Sequence, residues 1–160
     1  MIISTEQQPV HLAGSLLDRK RHVCAFFHTR DEEYRVLMPF IAEGFDHGDR
    51  AFHIVDPDNR ADHMERLREA GIPTESAERD GRLTVIRWED AYLRDGHFDQ
   101  NAMLALIEQV LTEGKTLGFP LTRLVANMEW ALEDRPGVED IVEYETRLNY
   151  VLPKYDDAVT

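Results

Sequence analysis

Large aromatic side chains stand beside carboxylates at two places in the sequence. Trp88 is followed by Glu89 and then by Tyr92, while Glu129 directly precedes Trp130. Pockets for small, weakly polar molecules have apolar and aromatic walls with a few polar groups that orient the guest. Both places follow a predicted strand, so they predict a binding pocket for a small organic molecule. In the alternative interpretation, both tryptophans pack beneath helices and the carboxylates are solvated.

A second group of candidate residues contains histidine and cysteine. His22, Cys24 and His28 lie at even spacing, so an extended strand would place them on one face. Two imidazoles and a thiolate could form part of a zinc or iron site, with His53 as a fourth ligand. The spacing matches no familiar metal motif, and both residue types are also common in ordinary cores. A metal- or thiol-dependent enzyme that uses Cys24 is therefore only the third hypothesis.

The sequence lacks the motifs of nucleotide-binding and hydrolytic enzymes. Residues 114–116, Gly-Lys-Thr, resemble the end of a phosphate-binding loop, which also needs a glycine where this chain has Gln109. The tripeptide follows a predicted helix instead of a strand, which favours Gly114 as a helix C-cap. No serine stands in a Gly-x-Ser-x-Gly motif. We therefore expect no catalytic residue and no cofactor.

The elements that must position these residues alternate between short apolar runs and segments of helical period. The predicted strands span residues 23–27, 50–55, 82–86 and 121–125, and the predicted helices span 29–46, 58–68, 98–118 and 138–152. This alternation predicts an α/β fold, a mostly parallel sheet with helices on both faces. Ligands of such folds bind at the carboxyl ends of the strands. The residues at or just after these ends include Phe27, Asp56, Trp88 and Trp130, which are therefore candidates for ligand binding.

Local signals define the ends and faces of two helices. Thr29 and Glu32 predict a capping box, Gly48 predicts the end of the same helix, and Pro39 predicts a kink or a break within it. The last helix shows one stripe with a polar interruption at Glu145. The stripe consists of Val138, Ile141, Val142, Glu145, Leu148 and Leu152.

The composition excludes several classes of partner. The chain has 160 residues, with 31 acidic and 18 basic side chains and a net charge of −13 when histidine is neutral. Such a charge argues against nucleic acid and against an anionic membrane surface, since both require a cationic protein surface. One cysteine, and no apolar run near the roughly 20 residues of a spanning helix, predict a cytoplasmic location.

Short motifs are spread over most of the chain. They are residues 22–27, 39–44, 48–49 and 55–57, Gly81-x-Leu83, Trp88-x-x-x-Tyr92, Gly96-x-Phe98-Asp99, Arg123, residues 128–130 and Tyr144-Glu145-x-x-x-Asn149. In this order they resemble the MEDS domain, also called the DcmR-like sensory domain. The resemblance covers about residues 10–155.

The resemblance implies a fold derived from the RecA/KaiC α/β fold that lacks the phosphate-binding loop. It implies a sensory role, for which simple hydrocarbon derivatives are the ligands proposed in the family. Related domains stand beside DNA-binding domains, histidine kinases and anti-sigma-type regulators. Residues of this chain that occupy family motif positions are His22, Phe27, Glu43, Trp88, Tyr92, Glu129, Trp130 and Glu145.

Family members continue past the last helix into a further strand, whereas this chain stops at residues 156–160. We therefore expect a tail of residues 1–9 and a MEDS-like domain of residues 10–160 that lacks the C-terminal strand of the family.

The resulting hypothesis is a non-enzymatic sensory domain that binds a small organic ligand. Its state passes to a regulatory partner (a kinase, an anti-sigma protein or a transcription regulator) or through a homodimer. The predicted ligand-binding residues are His22, Cys24, Phe27, Asp56, Trp88, Tyr92, Glu129, Trp130 and Glu145. The main alternative is a regulatory module that binds proteins without any ligand. Neither nucleic acid nor a membrane is an expected partner.

Overall fold

A computed structural model describes residues 8–18 and 21–159 of the chain. The strands are β1 (Val10–Leu12), β2 (Ser15–Leu17), β3 (Arg50–Val55), β4 (Leu83–Arg87), β5 (Thr122–Ala126) and β6 (Ala158–Val159). The helices are α1 (Arg30–His47), α2 (Arg60–Glu69), α3 (Thr74–Arg79), α4 (Gln100–Thr116) and α5 (Ile141–Val151). Most of the predicted tail, residues 1–7, lies outside the described residues.

The central sheet has the strand order β4-β3-β5-β6, and all three pairings are parallel. Parallel strands must be joined by crossover connections. Helices α2 and α3 connect β3 to β4, α4 connects β4 to β5, and α5 connects β5 to β6. The predicted α/β fold with a mostly parallel sheet is therefore confirmed. The relation to RecA/KaiC, and the division into a tail and one domain, stay predictions.

The central strand β3 is buried on both faces. Ala51 and Val55 belong to the core beneath α1, α2, α3 and the β1–β2 hairpin. Phe52 and Ile54 belong to the core beneath α4 and α5. A parallel sheet covered on both sides explains why the sequence of this strand is an almost continuous apolar run. The prediction of helices on both faces of the sheet is confirmed.

The predicted first strand, residues 23–27, is wrong. Residues 23–27 belong to no ladder, and only His22 forms an isolated bridge. Phe26 is 94% exposed and Cys24 is exposed, so this apolar run does not lie inside the sheet. An antiparallel hairpin forms upstream instead, where Leu12 pairs with Ser15 around a two-residue turn. Both turn residues have positive φ, 50° and 77°, as type I′ turns require.

The predicted helix ends are only partly confirmed. Thr29 caps α1 by accepting a hydrogen bond from the Glu32 amide at 3.1 Å, and Gly48 ends it in the left-handed conformation. The Glu32 carboxylate accepts from the amide of His28, so the capping box is displaced by one residue. Pro39 lies within one continuous helix.

The predicted C-cap at Gly114 is wrong. Gly114 lies inside α4, and the left-handed residue that follows the helix is Gly118. Gly114 instead lets α4 approach β5, because an added Cβ would collide with the Thr122 hydroxyl. Residues 114–116 therefore end a helix and form no phosphate-binding loop.

A buried arginine joins α1 to β5 at the amino edge of the sheet. Arg123 Nε donates to Asp49 Oδ2, and its Nη1 donates to both Glu43 Oε2 and the Phe40 carbonyl, each at 2.8 Å. Arg123 is 2% exposed and Asp49 1%. A Cβ on Gly44 would lie 2.7 Å from Arg123 Cδ, so this helix position has room only for glycine. The motif residues Glu43 and Arg123 are thus structural.

Glu43 should make the stability of the protein sensitive to acid. Burial opposes ionisation of Glu43, but hydrogen bonds from His11 and Arg123 outweigh it and lower the pKa from 4.5 to about 2. A folded-state pKa below the unfolded one stabilises the fold above pH 4.5, and this contribution disappears as the pH falls toward 2.

We therefore expect the unfolding free energy of the wild type to fall more steeply between pH 4.5 and pH 2 than that of Glu43→Gln. Asp49, Arg123, His11 and His47 surround this carboxylate. They are present in both proteins, so the difference between the profiles reports Glu43 together with its effect on Asp49, whose pKa the charge of Glu43 raises. Denaturant titrations across this range would measure both profiles, with the exposed Glu143→Gln as a control. Parallel profiles for wild type and Glu43→Gln would contradict the prediction.

No helix in the described part of the chain is both long and apolar enough to cross a membrane.

Candidate functional site

Four aromatic rings pack together at the carboxyl end of the sheet. The Trp130 ring centroid lies 4.9 Å from that of Tyr92 and 5.3 Å from that of Phe98. Tyr144 meets Phe98 edge to face, with centroids 5.3 Å apart. Such tilted and edge-to-face pairs are favourable beyond the area they bury. Trp130 follows β5 and Tyr92 follows β4, so the strand-end argument locates this aromatic cluster of Tyr92, Phe98, Trp130 and Tyr144.

Specific local interactions fix the chain segments around the aromatic cluster. Asp99 caps α4 by accepting hydrogen bonds from the amides of Asn101 and Ala102 at 2.8 and 3.0 Å. The preceding residue, Phe98, donates its own amide to the Pro136 carbonyl at 2.8 Å. Gly137 has φ of 88° and packs against the Phe98 backbone, where a Cβ would collide. The segment between β5 and α5 is thereby held against the start of α4.

The indole nitrogen of Trp130 is an unusual feature of this cluster. Trp130 is completely buried, and its Nε1 has no hydrogen-bond partner among the described residues. Buried indole N–H groups usually find a partner, and an unpaired one costs free energy. Trp88 is 6% exposed and packs in the same core. The aromatic walls that the sequence predicted therefore come together, but as a packed interior.

A polar cluster borders these rings. His22 Nε2 lies 3.2 Å from Glu145 Oε2, and Cys24 Sγ donates to the same oxygen at 3.5 Å. The other ring nitrogen of His22, Nδ1, lies 3.1 Å from Asn149 Oδ1. Glu145 follows the buried Tyr144 in α5, so the two clusters adjoin. We call His22, Cys24, Glu145 and Asn149 the polar cluster.

Electrostatic effects connect the two clusters. The hydrogen bond that the carboxylate of Glu145 accepts from His22 raises the pKa of His22 against the opposing effect of burial. Burial raises the pKa of the Cys24 thiol, and the charge of Glu145 raises it further. Burial likewise raises the pKa of Tyr92 and Tyr144, with a further contribution from Glu145. The carboxylate of Glu145 therefore acts on both the polar and the aromatic side of the site.

Comparison with known proteins gives a family. Residues 21–160 match the family described as MEDS, the MEthanogen/methylotroph, DcmR Sensory domain. The chain belongs to the MEDS family. The MEDS match includes every residue of the aromatic and polar clusters, so both clusters lie inside the region that defines the family.

A curated relative of this MEDS chain is the transcriptional repressor DcmR of Methylorubrum extorquens (strain DSM 6343 / CIP 106787 / DM4). The two are 27% identical over 141 residues, which cover 88% of this chain and 50% of the relative. The chain therefore spans about half the length of this repressor. No solved structure gives a significant match.

Three of the predicted ligand-binding residues make none of the contacts that define the two clusters. Phe27 packs, partly buried, against the core beneath α1. Asp56 accepts hydrogen bonds from the Asp58 amide and the Asn59 side chain, so it caps the turn that follows β3. Glu129 is exposed. The structure therefore gives no contact that would join these three residues to a shared binding site.

The two further histidines suggested as metal ligands also lie elsewhere. His28 is exposed beside the start of α1. His53 is fully buried in β3, where its Nδ1 lies 2.8 Å from His63 Nε2, and His63 in turn contacts the Tyr34 hydroxyl at 2.6 Å. Burial lowers the pKa of both imidazoles. The suggested group of His22, Cys24, His28 and His53 does not form.

Three residues of the two clusters were not among the predicted ligand-binding residues: Phe98, Tyr144 and Asn149. Tyr144 is 1% exposed, whereas Val142, chosen for the apolar stripe, is 73% exposed. A 3-10 turn over Val138–Asp140 precedes α5 and shifts the phase of the stripe. The spacing of four residues between Tyr144 and Leu148 could have revealed the buried face. The sequence pointed to Asn149 only through its place in the motif Tyr144-Glu145-x-x-x-Asn149.

One surface cavity of the MEDS domain is lined by none of the residues of the aromatic cluster. This cavity of about 280 Å³ lies beside the β1–β2 hairpin. Its lining consists of Gln8, Pro9, Leu16, Leu17, Asp18, Arg21 and Asp156. Because the rings of the aromatic cluster fill their own space, a guest molecule there must displace or separate them.

Proposed function

We propose that this MEDS domain is a non-enzymatic sensor that binds a small organic molecule with an apolar body and one polar acceptor. The buried Trp130 Nε1, which has no partner among the described residues, is the single observation that carries the proposal. It lies within an aromatic cluster next to a polar cluster, the combination that small-molecule sites use. Family membership and a transcriptional repressor as a relative support the sensory role.

In this proposal the ligand acts by a population shift. It binds a conformation in which the aromatic cluster has opened, and its contacts with that conformation favour it over the packed one. Residues 21–28 connect the polar cluster to α1, so their displacement is the change that a partner detects. The partner is a cytoplasmic regulatory protein or a second copy of the chain. The acidic charge of −13 supports a protein partner over nucleic acid.

A thermal-shift screen with small alcohols, ketones, haloalkanes and aromatic molecules tests the proposal. A ligand at a hundred times its dissociation constant should add about 2.7 kcal/mol of stability, a rise of several degrees in Tm. Trp130→Phe keeps an aromatic ring but removes the indole N–H. It should weaken ligands that carry an acceptor, and Leu132→Ala, at an exposed position of the same turn, should not.

Absence of any stabilising compound would contradict the proposal, as would compounds whose effect is identical in wild type and Trp130→Phe. The first result would favour a module that binds regulatory proteins without a ligand. The packed state of the aromatic cluster is the observation that supports this second candidate.

A further inference from the structure

We propose that His22 Nε2, Cys24 Sγ and Glu145 Oε2 form a binding site for one Zn²⁺ ion with an open fourth position. The three ligand atoms all lie within 4.8 Å of one another. This inference goes beyond the proposed function, since it stands whether or not an organic molecule binds.

Two of the three separations between the ligand atoms agree with tetrahedral zinc, and the third, between His22 Nε2 and Cys24 Sγ, is within 4.8 Å. Bond lengths of about 2.0–2.1 Å to nitrogen and oxygen and about 2.3 Å to sulfur place N and O about 3.4 Å apart and S and O about 3.6 Å apart. The observed separations are 3.2 Å from His22 Nε2 to Glu145 Oε2 and 3.5 Å from Cys24 Sγ to the same oxygen. A zinc ion could therefore replace these two hydrogen bonds with little change in the distance of Glu145 from either of the other ligands.

The surroundings of His22 favour a metal ligand. Its Nδ1 is within hydrogen-bond distance of Asn149 Oδ1, and Asn149 Nδ2 donates to the Glu145 backbone carbonyl at 3.2 Å. The amide is thereby oriented with its oxygen toward the ring, so Nδ1 carries the proton and Nε2 faces the other two ligands. Metal-binding histidines in proteins almost always have such a partner on the second nitrogen.

The ligand set and its exposure select the class of metal. One thiolate, one imidazole and one carboxylate form a mixed set that suits Zn²⁺ and not Mg²⁺ or Ca²⁺, which prefer oxygen ligands. The thiolate and the carboxylate together compensate the charge of a divalent ion. Cys24 is exposed, and the side chains of His22 and Glu145 are 13% and 24% exposed. An ion can therefore enter, and its fourth position can hold water or a ligand.

The test uses the full chain without a histidine tag, stripped of metal with a chelator and titrated with Zn²⁺ against a chromophoric competitor. We expect one ion per chain. Titration with Co²⁺ should produce a thiolate-to-cobalt charge-transfer band in the near ultraviolet, because Cys24 is the single cysteine of the chain.

Cys24→Ser should abolish the charge-transfer band, and Glu145→Gln should weaken Zn²⁺ binding strongly. Asn149→Ala should weaken Zn²⁺ binding about 10–100-fold, as removal of an outer partner typically does. The matched control Glu143→Gln, at an exposed position of the same helix, should leave it unchanged.

No stoichiometric binding, Co²⁺ binding without the charge-transfer band, or equal Zn²⁺ affinity in wild type and Glu145→Gln would each overturn the site. Circular dichroism confirms that each variant is folded. Because these measurements contain no organic compound, their outcome is independent of the ligand screen.

Discussion

Arg123→Met should lower the free energy of unfolding by about 3–5 kcal/mol, since removing one partner of a buried ion pair leaves an uncompensated charge. Methionine roughly matches the volume of the arginine stem, but it lacks the guanidinium, which lies over the Phe40 ring at 5.0 Å from its centroid. What is lost is the partner of Asp49, which is 1% exposed, and one partner of Glu43. Chemical denaturation of both proteins at neutral pH measures the difference.

The matched control is Arg60→Met. Arg60 pairs with Glu78 at 3.0 Å, but both side chains are more than one third exposed. Exposed pairs of this kind contribute about 1 kcal/mol or less, so the control should remain close to wild type. If Arg123→Met were no more destabilised than Arg60→Met, the structural role assigned to the Arg123 network would be wrong.

Trp130→Ala should also cost about 3–5 kcal/mol, because it removes the largest fully buried side chain and leaves a cavity among three other rings. Leu132 lies in the same turn, Glu129–Leu132, and is 87% exposed. Leu132→Ala should therefore change the stability little. Denaturant titrations of both variants give the comparison.

The cavity left by Trp130→Ala offers an additional measurement. Engineered apolar cavities bind small aromatic molecules, so indole should restore part of the lost stability in this variant and should stabilise it more than it stabilises Leu132→Ala. Equal stability of the two variants would show that the aromatic cluster is not the packed centre that the ring distances describe. An equal effect of indole on the two variants would indicate that indole does not bind in the cavity.

Much of the sheet could be predicted because its strands are short apolar runs in the sequence and are also buried in the fold. The bounds of β3, Arg50–Val55, match the prediction, since a strand buried on both faces is a short apolar run between polar ends. The start of α1 followed from the predicted cap at Thr29, and the helix predicted over residues 98–118 spans Gln100–Thr116. Strand β4 differed from the prediction by one residue at each end.

The failures have physical causes. Residues 23–27 read as a strand because they are apolar, but no neighbouring strand is available to them, and hydrophobicity alone cannot show this. The β1–β2 hairpin was missed because its turn places an alanine, Ala13, at positive φ, which sequence statistics disfavour. Helix α3 spans only Thr74–Arg79 and is too short to show a period.

For the site, the strand-end argument found Trp88, Tyr92 and Trp130, which share one core. His22 and Cys24 were found through their spacing, although the partner that joins them is Glu145 of α5 and not another histidine. The distance of 121 residues along the chain between Cys24 and Glu145 explains why spacing could not reveal this partner. The resemblance included Glu145, but no local pattern assigned it a contact.

The way residues 23–27 are held has a consequence for local unfolding. No sheet ladder includes them, so they are attached through side chains, with Cys24 bound to Glu145 and Phe27 packed against the core. Breaking a few side-chain contacts costs far less than separating parallel strands, so this segment constitutes a low-stability foldon of its own. The contact between Cys24 and Glu145 can then break many times during the life of a folded molecule, and amide hydrogen exchange in the segment would follow that opening while the sheet remains protected.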